Sequence, residues 1–142
     1  ALEDLYRDDG LAPLALEPGE LVVAVAVPAQ PRGAMSAYRK ARARGAIDFP
    51  LAGVAVRLAV DDGRIAAIDV ALTGTNSRPF RLAGTAAWVG RAVDDGLLAE
   101  LGKAVQKQVS PMRTTVTQSN WRRQVASVEA QRLVRELAKV AT

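Results

Sequence analysis

Residues 51–72 read LAGVAVRLAVDDGRIAAIDVAL, and this stretch decides the fold because it encodes two β-strands joined by a tight turn. Asp61, Asp62 and Gly63 separate two segments rich in Val, Ile and Leu. Gly63 can adopt the positive φ that a two-residue hairpin requires. Alternate residues of the first segment face opposite sides of a sheet: Val54, Val56, Leu58 and Val60 on one side, and Ala55, Arg57 and Ala59 on the other. We therefore predict an antiparallel hairpin.

A second β-prone stretch lies upstream, where residues 20–28 read ELVVAVAVP. Its nearly continuous apolar character predicts a strand covered on both faces, although a turn of buried helix fits the same pattern. Pro28 ends this segment, because proline donates no ladder hydrogen bond. Residues 1–19 show no clear period and contain several turn residues, which predicts a linker: Gly10, Pro13, Pro18 and Gly19.

Helix-forming residues dominate the second half of the chain. We predict a short helix within 80–95 that ends near Gly90 and a second helix over 97–109. A final helix is predicted from Ser119, as its N-cap, to about Val140. One face of this helix carries apolar residues at helical spacing: Ala126, Ala130, Leu133, Val134, Leu137 and Ala141.

A second apolar stripe on the final helix, formed by Trp121, Val125 and Val128, predicts that its first turns are buried on two sides. Across the whole chain, the predicted strands come first and the predicted helices follow. This segregation is typical of an α+β fold. We predict an antiparallel sheet of three to four strands that packs against about three helices.

The composition excludes several kinds of site. The 142 residues include neither Cys nor His, so the chain can form no disulfide, thiolate nucleophile, Ser–His pair or zinc site of the usual kind. This argues against a self-contained enzyme. No apolar run approaches the ~20 residues that a membrane helix needs. The chain starts with Ala1, and its acidic first residues lack the features of a signal peptide, so we expect a piece of a longer protein or a processed product.

Positive charge is concentrated in residues 38–44, YRKARAR, within a chain of net charge +4. As a strand, this stretch places Lys40, Arg42 and Arg44 on one face with Tyr38, and Arg39 on the other. The simplest interpretation is an edge strand whose cations face solvent and discourage edge-to-edge pairing. Nucleic-acid binding is disfavoured, because 15 acidic residues are mixed with 19 basic ones.

Three further patterns have simple structural interpretations. Each Asp-Asp pair precedes Gly, which is typical of turns. Residues 74–84, GTNSRPFRLAG, lack the spacing of a phosphate-binding loop, so we expect Asn76 and Ser77 to shape the loop. Arg113, Arg122 and Arg123 lie around the start of the final helix, where they could meet an anion, although a capped helix start explains the pattern more simply.

The order of these motifs resembles the C-terminal domain of the flavin-carrying medium subunit of the molybdenum hydroxylases, the xanthine dehydrogenase and carbon monoxide dehydrogenase family. The resemblance is carried by the Pro-Gly-Glu-Leu strand entry at 18–21, a Tyr followed by basic residues at 38–40, and Asp48-Phe49 before the hairpin. The helical half, with SPMRTTVTQSNWRRQVASVEAQRLVREL, is similar to 4-hydroxybenzoyl-CoA reductase-type enzymes. Relatives carry a Tyr where this chain has Trp121.

The resemblance implies an α+β sandwich like that of the carbon monoxide dehydrogenase flavoprotein, with residues 20–142 as the domain and 1–19 as a linker from an upstream FAD-binding domain. By position, Leu21 and Val22 lie against the flavin ring, and Arg39 or Lys40 is the basic residue near it. Apolar packing would exclude water from the ring, and a cation would stabilise the anionic reduced flavin.

The same resemblance implies an electron-transfer role with no catalytic side chain in this chain. An iron–sulfur small subunit would supply electrons, a molybdenum large subunit would carry the molybdenum cofactor, and the complex would be cytoplasmic, without nucleic acid or membrane as a partner. The alternative from the residues alone is an interaction module that binds an acidic partner or nucleic acid through residues 38–44. A purely structural assembly domain is a third possibility.

Overall fold

The computed structural model describes residues 2–115 and 117–141. Over these residues the chain forms a four-stranded antiparallel sheet in the order β1-β2-β3-β4, followed by two α-helices. The strands are β1 (Ala34–Ala41), β2 (Ala52–Asp61), β3 (Arg64–Thr73) and β4 (Phe80–Arg81), and the helices are α1 (Asp95–Gln108) and α2 (Ser119–Ala141). Short 3-10 helices span Leu2–Leu5 and Thr85–Trp88. The predicted α+β architecture is confirmed.

The central hairpin forms as predicted. Strands β2 and β3 pair from Gly53 opposite Thr73 to Asp61 opposite Arg64, with a bulge between Ala59 and Val60. The turn residues Asp62 and Gly63 both have positive φ, 46° and 69°. Positive φ at both central positions defines the type I′ turn, whose twist matches that of the flanking strands. Local chemistry is therefore sufficient to specify this hairpin.

The core lies between one face of the sheet and the two helices. In β2, Val54, Val56 and Leu58 are buried, while Arg57 on the opposite face is partly exposed. The face of α2 that the sequence predicted to be apolar is buried, and it includes Ala126, Leu133 and Val134. One face of α1 is buried as well. Because aromatic residues are scarce, the cohesion of this core comes from close packing of small aliphatic side chains.

The first helix begins at a side-chain cap, where Asp94 accepts a hydrogen bond from the Leu97 N–H at 2.7 Å. In α2 the first helical bond runs from the Arg122 N–H to the Gln118 carbonyl, so Ser119 lies in the first turn rather than at the cap. The prediction that the start of α2 is buried on two sides is wrong for Trp121 and Val128, which are exposed among the described residues.

Two further predictions of secondary structure are wrong. Residues 20–28 form no strand and are exposed, because their backbone pairs with neither edge of the sheet within the described chain. Residues 80–95 form no single helix: Phe80 and Arg81 pair with β3, and Gly84 and Gly90 adopt left-handed φ values that interrupt helical propagation. Nothing in the fold tests the boundary between a linker over 1–19 and a domain over 20–142, which stays a prediction.

Candidate functional site

The predicted site residues Arg39 and Lys40 lie near the end of β1, an edge strand, and point to opposite faces of the sheet. Arg39 lies on the face covered by α2. Its guanidinium donates to Glu136 at 2.7 and 2.8 Å and to Glu129 at 3.3 Å. The hydrogen bonds that Arg39 donates to Glu136 raise the pKa of Arg39, and burial opposes this effect. Two carboxylates of α2 therefore neutralise the charge of Arg39.

Lys40 lies on the open face of the sheet, and its ammonium group is bound to a backbone carbonyl and not to a carboxylate. Its Nζ donates to the backbone carbonyl of Asp48 at 2.7 Å. Among residues 2–115 and 117–141, no carboxylate forms an ion pair with this ammonium group. A carbonyl fixes the position of the charge but does not cancel it. Lys40 is therefore a held, exposed and unneutralised cation.

The loop that joins β1 to β2, residues 42–51, is organised by the side chain of Asp48. One carboxylate oxygen accepts hydrogen bonds from the backbone N–H groups of Ala43 and Arg44 at 3.0 and 2.9 Å, and the other accepts from the Arg44 side chain at 3.2 Å. The backbone hydrogen bond from Arg44 is the main reason that the pKa of Asp48 lies below its ordinary value. The Leu51 N–H closes the base of the loop on the Ala41 carbonyl at 2.8 Å.

The same loop presents two large apolar side chains to solvent. Ile47 is 97% exposed, with a left-handed φ of 41°, and Phe49 is 88% exposed. Sequence reasoning did not select either residue as a site residue, although Asp48-Phe49 was part of the motif. The structure shows that the hydrogen bonds of Asp48 and Lys40 fold the loop in a way that leaves both side chains outside the core.

The other two predicted site residues, Leu21 and Val22, are 71% and 48% exposed. They belong to a run, residues 21–29, in which no backbone N–H or carbonyl has a hydrogen-bond partner among the described residues. No hydrogen bond or ion pair within the described chain joins Leu21 or Val22 to the loop at 42–51. The structure therefore bonds Lys40 to the Phe49 loop, whereas no such bond within the described chain links Leu21 or Val22 to it.

This arrangement can now be compared with known proteins. The family model of the CO dehydrogenase flavoprotein C-terminal domain matches residues 36–137, which include nearly all of the sheet, the whole of α1 and most of α2. The chain belongs to this family. The resemblance drawn from the sequence is therefore confirmed.

Individual relatives of this flavoprotein C-terminal domain agree with the family. The chain is 31% identical over 121 residues to the glyceraldehyde dehydrogenase medium chain of Sulfolobus acidocaldarius, covering 84% of this chain and 42% of the relative. It is 41% identical over 85 residues to the aldehyde oxidoreductase FAD-binding subunit PaoB of Escherichia coli, covering 57% of this chain and 25% of the relative.

A solved structure of reconstituted CO dehydrogenase from Oligotropha carboxidovorans matches with a TM-score of 0.86 and 28% sequence identity. The match covers 98% of this chain and 48% of that chain. The chain therefore spans less than half the length of these relatives, and their remaining parts have no counterpart in it.

In this flavoprotein C-terminal domain the basic stretch 38–44 is not a free cationic surface. Arg39 and Arg44 are paired with the carboxylates of Glu136 and Asp48, whereas Lys40 is bound only to the Asp48 carbonyl. Arg42 alone among the four cations has no partner within the described residues. No observation therefore favours the alternative of a module that binds a polyanion.

The remaining polar motifs of this domain have structural roles. Asn76 donates to the Gln108 carbonyl at 3.3 Å and accepts from the Ser110 N–H at 3.1 Å, so it shapes the loop as predicted. Arg123 donates through Nε to the Val109 carbonyl at 3.2 Å. All three nitrogens of Arg122 donate to backbone carbonyls, so its guanidinium is not arranged to meet an anion.

Two kinds of feature are missing from the described part of the chain. No group of three acidic residues there could hold a metal ion. No helix formed by residues 2–115 and 117–141 is long and apolar enough to cross a membrane.

Proposed function

We propose that this domain covers the flavin ring of an FAD held mainly by an upstream domain of the same protein, within an electron-transferring molybdenum hydroxylase. Membership of the flavoprotein family supports a flavin as the cofactor, and so does similarity to an FAD-binding subunit. The observation that carries the proposal is the exposed apolar surface formed by Ile47 and Phe49 beside an unneutralised Lys40. A flat aromatic ring that becomes negatively charged on reduction needs an apolar wall and a nearby cation.

The residues present fit such a cofactor. Leu21, Val22 and Phe49 expose apolar side chains that a domain core would otherwise bury. The unpaired backbone at 21–29 also remains available for hydrogen bonds to another domain. FAD, when bound, would accept electrons and pass them on. This chain would supply water exclusion around the ring and a fixed positive charge.

The charge partners of the two cations that the sequence left as alternatives support one of them. The charge of Arg39 is balanced by Glu129 and Glu136, so its field at any cofactor is small. Lys40 has only a carbonyl partner, so no carboxylate within the described chain cancels its charge. We therefore assign the role near the flavin to Lys40, and the role of Arg39 is to fix β1 to α2.

The wider assembly is part of the same proposal. An iron–sulfur small subunit and a molybdenum large subunit would be the partners, and the clusters and molybdenum cofactor would lie there. The complex would be cytoplasmic, and the domain would contribute to electron transfer without a catalytic side chain. The finer similarity to 4-hydroxybenzoyl-CoA reductase-type enzymes stays a prediction.

The test uses the intact flavin subunit with three Lys or Arg→Met variants: Lys40→Met, Arg39→Met and Arg42→Met. We expect Lys40→Met to lower the flavin midpoint potential by roughly 20 mV or more, because a surface charge pair near the ring is worth about 1 kcal/mol or more. Arg42→Met is the matched control for the loss of one positive charge, since Arg42 is a neighbouring cation that, unlike Lys40, no hydrogen bond within the described chain holds in place. A parallel Phe49→Ala variant should retain less FAD after gel filtration.

The outcomes separate the possible assignments. A shift for Arg39→Met without one for Lys40→Met would reverse the assignment of the cation. If Lys40→Met and Phe49→Ala both behave like Arg42→Met, the loop does not face the flavin and the proposal fails.

A further inference from the structure

Arg122 is a buried cation that has no role in the proposed function. Its side chain belongs to α2, and the residue is 8% exposed. The guanidinium donates through Nε to the Leu51 carbonyl at 2.9 Å, through one terminal nitrogen to the Met112 carbonyl at 2.7 Å, and through the other to the Gly74 carbonyl. No carboxylate forms an ion pair with it within the described chain.

A buried charge without a counter-ion is costly, so its retention requires compensation. The observed compensation is geometric. The planar guanidinium presents N–H groups in several fixed directions, which suits three carbonyls that approach from different segments. A Lys at this position would offer its three N–H donors from one nitrogen, and not from three nitrogens spread over a planar fork, so it would not match these three acceptors. Burial also lowers the pKa of Arg122, in agreement with this environment.

Two of the three acceptors lie at the base of the loop at 42–51. Leu51 is the last residue of that loop, and its N–H is bound to the Ala41 carbonyl on the opposite side of the base. Gly74 packs against Pro50, the residue before Leu51: a Cβ at position 74 would lie 2.7 Å from the Pro50 carbonyl oxygen. Arg122 therefore holds both the end of the loop and the residue against which the loop rests.

We propose that Arg122 is a positioning residue that acts from the buried side of the domain, through Leu51 and Gly74, to hold the Phe49 loop and its bond to Lys40 in place. The flavin-related part of this inference rests on the proposed function, whereas the mechanical part does not. Arg122 is buried within the domain. Its effect on a cofactor would be transmitted through the backbone of residues 48–51.

The test compares Arg122→Lys with Arg123→Lys in the intact flavin subunit. Arg123 is the matched control because it is the next residue of α2 and donates to a single carbonyl, that of Val109, away from the loop. The first readout is amide hydrogen exchange at Arg44 and Leu51, whose N–H groups are bonded within the loop. We expect exchange at both amides to accelerate about tenfold or more in Arg122→Lys, because hydrogen bonds to a charged group are lost, and to stay unchanged in Arg123→Lys.

The second readout is the flavin midpoint potential. We expect Arg122→Lys to shift the potential in the same direction as Lys40→Met, because the cation loses its fixed position. Arg122→Gln provides a second variant that removes the buried charge but keeps an N–H donor, and it should loosen the loop as well. Retained far-UV circular dichroism in either variant shows that the sheet and helices remain folded.

Each outcome has a distinct consequence. Unchanged exchange at Arg44 and Leu51 in a folded variant overturns the inference, and so does unfolding of the whole domain in both variants, since a positioning residue must leave the sheet and helices intact. If the loop loosens and Lys40→Met shifts the potential but Arg122→Lys does not, the coupling to the cofactor is refuted. If the loop loosens while Lys40→Met and Phe49→Ala leave the flavin unchanged, the mechanical inference stands and the proposed function fails.

Discussion

Gly74 allows a direct test of how the Phe49 loop is supported. Gly74 follows β3, has a φ of 74°, and lies against Pro50. In Gly74→Ala, the new Cβ would lie 2.7 Å from the Pro50 carbonyl oxygen and 3.2 Å from the Pro50 Cβ. The substitution therefore combines two costs, a left-handed backbone conformation for a non-glycine residue and a steric conflict with the backbone of the loop.

The structure contains a control that separates these costs. Gly84 has a similar φ of 86°, but a Cβ there would have no neighbouring atom within 4 Å. Gly84→Ala should therefore cost only the left-handed conformation, about 1–2 kcal/mol. Gly74→Ala adds about 1–3 kcal/mol of overpacking, so we expect a total of about 2–5 kcal/mol. The difference between the two variants measures the contact between Gly74 and Pro50.

Urea unfolding of the purified 142-residue chain, followed by circular dichroism, gives both free energies. The slope of the unfolding free energy against urea concentration should stay the same in all variants, so that midpoints can be compared. Equal destabilisation by Gly74→Ala and Gly84→Ala would refute the reasoning, because it would show that Pro50 does not press against position 74. Greater destabilisation by Gly84→Ala would refute it as well.

Two further predictions concern stability. Burial raises the pKa of Asp69, but hydrogen bonds from Arg57 and Arg81 outweigh this effect and hold it below its ordinary value. The contribution of Asp69 to stability is therefore complete above about pH 4 and is lost as the pH falls through the lowered pKa. When the pH is lowered, the free energy of unfolding should therefore decrease less in Asp69→Asn than in the parent chain. An equal fall in both proteins would contradict this. Leu101→Ala should cost about 2–5 kcal/mol, because Leu101 is fully buried. The control Leu11→Ala removes an exposed side chain and should change the unfolding free energy by no more than about 0.5 kcal/mol; comparable losses in the two variants would show that Leu101 is not in the core.

Much of the site depended on contacts between distant parts of the sequence. The pattern at 38–44 correctly placed Arg39 and Lys40 on opposite faces of a strand, since alternation is a local property of strands. It could not show that Glu129 and Glu136 lie opposite Arg39, because those residues are about 90 positions away in the chain. The choice between the two cations therefore required the packing of α2 on β1.

The prediction of a strand at 20–28 was wrong because this segment has no pairing partner within the described chain. Its β-propensity is real, but a strand exists only where another strand accepts its hydrogen bonds. The pattern indicated an apolar segment that needs a cover, and the fold of the described residues provides none. The need for burial was visible in the sequence, whereas the identity of the partner was not.

By itself the sequence determined the hairpin at 52–73, the long amphipathic helix α2 and the absence of Cys and His chemistry, because each depends on local φ preferences, local periodicity or residue type. Only the tertiary structure decided that Arg122 is a buried support and not an anion-binding residue. Its three carbonyl acceptors lie 10, 48 and 71 residues before it in the chain, and no local pattern records which backbone groups will meet at one guanidinium.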